Sequence, residues 1–102
     1  MANITIIPPV DESVADHAVV RLSAAPGNEW RKAFTAFDRW AKGSGPRLDG
    51  IPDEVKIPTA AQNSEFQVGG NEIRIRMQPG GNYEAITEFV DQAIAFANAH
   101  SP

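Results

Sequence analysis

Few side chains in this sequence are of the kinds that do chemistry, and those few are scattered. The two histidines, His17 and His100, stand alone. Neither has a His-x-x-x-His or Glu-x-x-His spacing around it, so neither reads as a metal ligand. A general base needs a nucleophile or substrate site within hydrogen-bond reach, and the sequence offers none beside them. Both read as surface histidines. Cysteine is absent, which removes thiolate catalysis, disulfides and the common structural zinc sites together. No catalytic residue, metal or cofactor is expected, and the balance points away from an enzyme.

Two turns feed helical segments, Pro26-Gly27-Asn28 and Pro79-Gly80-Gly81-Asn82. Free amides and the dipole at a helix N-terminus bind phosphate, which makes Gly27, Gly80 and Gly81 the candidate anion-binding positions. Yet neither a GxGxxG nor a GxxxxGK(S/T) pattern is present, and Glu29 and Glu84 place a carboxylate where an anion would sit. A structural turn with an N-cap is the preferred reading of both.

The remaining candidates are contacts rather than catalysts. Arg21, Arg74 and Arg76 point away from the apolar faces of their segments. If those segments are neighbouring strands, three guanidinium groups share one sheet face. A nucleic-acid platform would also need exposed aromatics for base stacking, and every aromatic here is assigned to an apolar face or a helix edge. A solvated face with ion pairs to Glu65 and Glu72 is one reading; a contact with an anion or an acidic partner is the other. Trp40 falls roughly 80° from the Trp30–Phe34–Phe37 stripe on a helical wheel, and Phe96 occupies the same flank of the last helix. Both either cover the rim of the core or form an exposed aromatic ridge for a partner.

These residues need elements to place them. Residues 3–7 are β-branched and end at Pro8-Pro9, which predicts a short first strand followed by an acidic loop over 10–16. His17–Ser23 alternates as a second strand, with Ala18, Val20 and Leu22 on one face. Asn28 is the expected N-cap of a helix over 29–42, closed by Gly43 and Pro46. Residues 43–63 are irregular, with at most a short edge strand at 53–57 between Pro52 and Pro58. Glu65–Val68 and Glu72–Met77 alternate strictly around Gly69-Gly70-Asn71, the signature of a hairpin. In any register Phe66 and Val68 share a face with Ile73 and Ile75. A last helix over 82–98 has Asn82 as its expected N-cap, buries Ile86, Phe89, Val90, Ala93, Ile94 and Ala97, and turns Glu84, Glu88, Asp91 and Asn98 to water.

The two halves echo one another. Val20-Arg21-Leu22 stands before Pro26-Gly27 as Ile73-Arg74-Ile75 stands before Pro79-Gly80, and Ala33–Phe37 resembles Ala85–Phe89. The fold class expected is therefore α+β, a two-layer sandwich of two ββα units. Its sheet has four or five mainly antiparallel strands, with two helices packed on one face. At 102 residues the chain is read as one domain, its units about 3–42 and 54–99 joined by a Gly/Pro-rich loop over 43–53.

Composition sets outer limits. With 42% apolar and 22% charged residues the chain has ordinary globular usage. Its net charge of −4 disfavours nucleic acid and anionic membrane. The N-terminus has no basic region before its short apolar run, and no stretch approaches the ~18–20 apolar residues of a span, so no signal peptide or anchor is expected. A cytoplasmic setting fits the missing cysteines. The charge is uneven: the first helix carries a net +2 and the last a net −3. These features suggest a non-catalytic protein-interaction or regulatory module, such as a small acidic inhibitor or immunity-type protein, with another protein as partner. The alternative is a domain or minor enzyme that binds a small anionic ligand, with its pocket at the 43–63 loop or the helix N-termini. A homodimer is compatible with either.

Overall fold

The computed structural model describes residues 3–14, 17–43, 51, 57–77 and 83–100. Along the chain these form β1 (Ile6–Val14), β2 (His17–Leu22), α1 (Asn28–Ala41), α2 (Thr59–Gln62), β3 (Glu65–Gly69), β4 (Glu72–Arg76) and α3 (Tyr83–Ala99). The strands make a single four-stranded antiparallel sheet in the order β1-β2-β4-β3. Residues 3–43 and 57–100 thus each contribute two strands and a long helix, as the echo predicts.

Alternation in the sequence becomes the two sides of the sheet. Ala18, Val20, Leu22, Ile73 and Ile75 are fully buried, while His17, Arg21, Arg74 and Arg76 on the intervening positions are exposed. The apolar stripes of both long helices land on the buried side: Trp30, Phe34, Phe37 and Ala41 from α1, and Ile86, Phe89, Val90, Ala93, Ile94 and Ala97 from α3. All belong to one continuous core. Taking a large apolar side chain out of water contributes about 1.5–3 kcal/mol, so these stripes are what hold the layers together. Every Phe and Trp joins one chain of rings. Trp30 stacks on Phe34 at 5.6 Å, Phe34 meets Phe66 edge-on, Phe66 meets Phe89, and Phe37 contacts Phe89, Phe96 and Trp40.

The sheet also explains the echo. Aligning the two halves matches Val20 with Ile73, and those residues pair directly across β2 and β4. An antiparallel pair centred there has a local two-fold axis, which exchanges Arg21 with Arg74 and puts β1 and β3 at equivalent edges. The offset that aligns the two halves in sequence is thus also the offset across the central strand pair.

Several local expectations are corrected. β1 does not stop at Pro8-Pro9 and 10–14 is not a loop; the strand runs on to Val14 with register shifts between Ile7 and Asp11 and between Asp11 and Val14. An edge strand tolerates proline because one side of its ladder needs no N–H, and a bulge absorbs the mismatch. Gly27, not Asn28, is the N-cap of α1; Asn28 is already helical and no side chain caps that end. The Gly27 carbonyl instead accepts the first helical bond from Arg31 at 3.1 Å. A short helix, α2, follows Pro58 where no helix was expected. Residues 53–56 of the expected edge segment and Asn82 lie outside the described residues; Ile57 packs half-buried on the core and belongs to no strand.

The hairpin closes as a two-residue loop, Gly70-Asn71, between paired Gly69 and Glu72. Gly70 has φ 57° while Asn71 keeps a negative φ, so the left-handed conformation falls on the residue without a Cβ. Asn98 does not face water. Its Oδ1 accepts from Ile4 N at 3.1 Å and from Trp30 Nε1 at 2.9 Å, and its Nδ2 donates to the Ile4 carbonyl at 2.9 Å. One amide thereby fixes the start of the chain to both long helices.

Candidate functional site

Because β2 and β4 are neighbours, the arginines predicted to share a face do so. On the side of the sheet away from the helices, Arg21 stands opposite Glu72, Arg74 opposite Val19 and Gln67, and Arg76 between His17 and Glu65. Arg74 Nε lies 3.9 Å from Glu72 Oε2, both side chains well exposed. That separation exceeds a hydrogen bond, and at such exposure an ion pair contributes little. Ile7, paired with Arg21 across β1 and β2, is the exposed large hydrophobic among the described residues, with 45% of its surface open. The face is a mixture of guanidinium groups and apolar side chains.

At one end this face runs into a cleft of about 560 Å³ lined by His17, Asp38, Lys42, Glu65, Phe66, Gln67, Arg74, Ile75 and Arg76. The antiparallel register puts His17, Arg76 and Glu65 in one row at the sheet end, and α1 brings Asp38 and Lys42 from the helical layer. Lys42 Nζ donates to Asp38 Oδ2 at 3.3 Å and stands 3.2 Å from Oδ1, while also lying 5.5 Å from the centre of the Phe66 ring. Despite that nearby ammonium, Asp38 Oδ1 is shut off from water and takes no hydrogen bond of acceptable geometry among the described residues. Burial pushes the Asp38 carboxyl above its ordinary value, and the charge and hydrogen bond of Lys42, then the charge of Arg39, oppose this only in part. A desolvated carboxyl with cations around it in a cleft is the kind of group that meets ligands.

The other predicted residues are placed apart from this face. Trp40 and Phe96 belong to the helical layer, each half-buried against Phe37 at 5.7 and 5.3 Å. They cover the rim of the core, and the His100 ring stacks on Phe96 at 4.0 Å while its Nδ1 sits 2.9 Å from the Phe96 carbonyl. Gly27 is an exposed turn on the backbone of α1, with Glu29 in the first turn. Gly80 and Gly81 lie outside the described residues. A shallow groove on the outer side of α1 gathers Arg31, Lys32, Thr35 and Arg39, the basic helix face expected from the sequence. No group of His, Cys, Asp or Glu suited to a metal ion is found among the described residues, and no described helix is long and apolar enough to cross a membrane.

The cleft was missed in the sequence. Asp38 and Lys42 read as solvated helix residues, although their i, i+4 spacing is itself a signal of an ion pair. Among the described residues its lining includes none from 43–63 and none from the first turn of a helix. No protein-family model, curated protein or solved structure matches the chain.

Proposed function

We propose that the chain is a non-catalytic protein-interaction or regulatory module, of the kind that small acidic inhibitors and immunity proteins represent. It meets an acidic surface of another protein through its helix-free sheet face. The supporting observation is that Arg21, Arg74 and Arg76 share that face with the exposed Ile7. Arginines beside apolar surface are a common composition of binding surfaces, since guanidinium is weakly hydrated and forms bidentate bonds with carboxylates. A cytoplasmic site of action suits the absence of cysteine.

The test begins with a partner captured from host extract and then purified. It is titrated against the wild type and against Arg21→Glu/Arg74→Glu/Arg76→Glu. The triple variant is expected to keep its melting temperature and lose binding by on the order of a hundredfold or more, with an association rate that falls as salt rises. Undiminished affinity in a folded triple variant refutes the reading.

The cleft supports a second reading, a site for a small anionic ligand held by Lys42, Arg74 and Arg76. A thermal-shift series with inorganic phosphate, nucleotides and dicarboxylates separates the two. A saturable rise in melting temperature that Lys42→Ala abolishes favours the ligand site, and a flat series favours the interaction module.

A further inference from the structure

The two edges of the sheet are built differently. β1 carries Pro8 and Pro9, which lack an N–H, and its register is broken twice. Natural edge strands are commonly blunted in this way against pairing with other chains. β3 has no such device: its register with β4 runs unbroken from Glu65↔Arg76 to Gly69↔Glu72, without proline or lysine. On its other side no strand pairs with it among the described residues.

The backbone groups that this edge presents follow from the turn. A two-residue loop makes Gly69 and Glu72 the closing hydrogen-bonded pair, and antiparallel bonding then alternates. Glu65, Gln67 and Gly69 therefore bond to β4, and the N–H and C=O groups of Phe66 and Val68 point outward. The far side of β4 agrees, because Leu22 N donates to the Asn71 carbonyl at 2.7 Å, which assigns Asn71, Ile73 and Ile75 to β2. The side chains of Phe66 and Val68 are only half-buried, although Ile73 and Ile75 beside them on the same face are fully covered. The cleft lined by Glu65, Phe66 and Gln67 opens at this strand.

We propose that a second copy of this chain adds antiparallel to β3 through a two-fold axis at Gln67, joining the two sheets into one. In this register every outward N–H and C=O of Phe66 and Val68 finds its partner in Val68 and Phe66 of the second copy. The half-buried Phe66 lies across from Val68 of the second copy on the helix side, an aromatic–β-branched pairing that sheets favour. On the open side Gln67 meets Gln67 of the second copy, amide to amide. Glu65 faces Gly69 of the second copy, so no like charges are opposed despite the acidic net charge. A slip of two residues either way would set Phe66 against Phe66 and Val68 against Ser64, whose N–H already donates to the Ala61 carbonyl, or Val68 against Val68 and Phe66 against the turn residue Gly70, which makes the Gln67-centred register the one that satisfies both residues.

Sedimentation velocity and light scattering from low micromolar to millimolar protein test this, with Gln67→Lys and Gln67→Glu as variants. Position 67 is exposed on the open face, so both variants keep the fold, checked by circular dichroism and melting. Each sets like charges against each other at the axis. The expected result is a wild-type dimer and, for each variant alone, self-association weaker on the order of tenfold or more. Mixing the two variants restores the dimer, and amide exchange at Phe66 and Val68 slows as protein concentration rises. A wild type that stays monomeric to millimolar concentration overturns the proposal. So does a dimer indifferent to both variants, or a mixture that fails to re-associate.

Discussion

Replacing Asn98 by alanine tests the account of how the chain ends are tied to the core. Asn98 accepts from Ile4 N and Trp30 Nε1 and donates to the Ile4 carbonyl. The Ile4 side chain is buried, but its neighbours Asn3 and Thr5 are exposed, so the Ile4 backbone groups can turn to water when the amide is removed. Trp30 cannot, because its ring is 1% exposed, and its indole N–H would be buried without a partner. A net hydrogen bond contributes about 0.5–1.5 kcal/mol and a stranded buried donor costs about 1–3 kcal/mol, so Asn98→Ala is expected to destabilise by about 2–4 kcal/mol. That is a large share of the total stability of a small domain, about 5–15 kcal/mol. Urea unfolding followed by circular dichroism gives the value, as a lower midpoint with the denaturant slope unchanged. Trp30→Phe removes the donor and keeps the ring, so in that background Asn98→Ala should cost less, with a coupling of about 1 kcal/mol in the double-mutant cycle. A cost below about 0.5 kcal/mol, or strictly additive variants, would refute the linkage, since surface substitutions already span that range.

Two further predictions concern the hairpin and the cleft. Gly70→Ala should destabilise by about 1 kcal/mol through its φ of 57° alone, because a Cβ there meets no atom within 4 Å. Gly69→Ala, with equally open space and no positive φ, should be neutral or stabilising by about 0.4–1 kcal/mol; equal effects of the two in urea melts would contradict the loop geometry. At Asp38 the folded carboxyl holds its proton more tightly than the unfolded one, because burial outweighs Lys42 and Arg39. Its contribution to stability is therefore complete below the ordinary value of 3.8 and is lost as pH rises through the raised folded value. Asp91 acts with the same sign, from burial and the neighbouring Glu88. Urea midpoints measured over this acid range should fall less steeply in Asp38→Asn than in the wild type, and an unchanged slope would mean that the carboxyl is not desolvated.

The parts of the fold that were legible in the sequence are those fixed by periodicity. Val20 and Leu22 against Arg21, and Ile73 and Ile75 against Arg74, read directly as two faces because a strand alternates with period two. The α1 and α3 stripes were equally plain, and Gly43, with φ 72°, ends α1 as its position predicts. What failed depends on neighbours that no local window contains. Pro8-Pro9 stops a central strand but not an edge strand, and only the strand order says that β1 is an edge. Asn98 sits beside the apolar Ala97 and looks solvated on the wheel; its partners are Ile4 and Trp30, far away in the chain. The arginine face was legible as a condition, since it required β2 to lie beside β4. The cleft was not, because its row of His17, Arg76 and Glu65 exists only once the register does.

The local two-fold sharpens where a function should be sought. An axis through the Val20–Ile73 pair exchanges β2 with β4, and the inward residues that match across it, Val20 with Ile73 and Leu22 with Ile75, are those the core needs. Arg21 and Arg74 match as well, but they stand on the outside, where folding places no demand on a guanidinium. Arg76 breaks the match, since residue 23, its counterpart by the same alignment, is serine. The edges break it further, with two prolines and two register breaks in β1 against an unbroken β3. Destabilising irregularity at one edge serves a purpose if pairing there must be prevented, and β3 itself carries neither proline nor a register break. Symmetry accounts for the core. Its violations, Arg76 at the cleft and the β3 edge, lie side by side at the same margin of the sheet, the margin at which the proposed second copy adds.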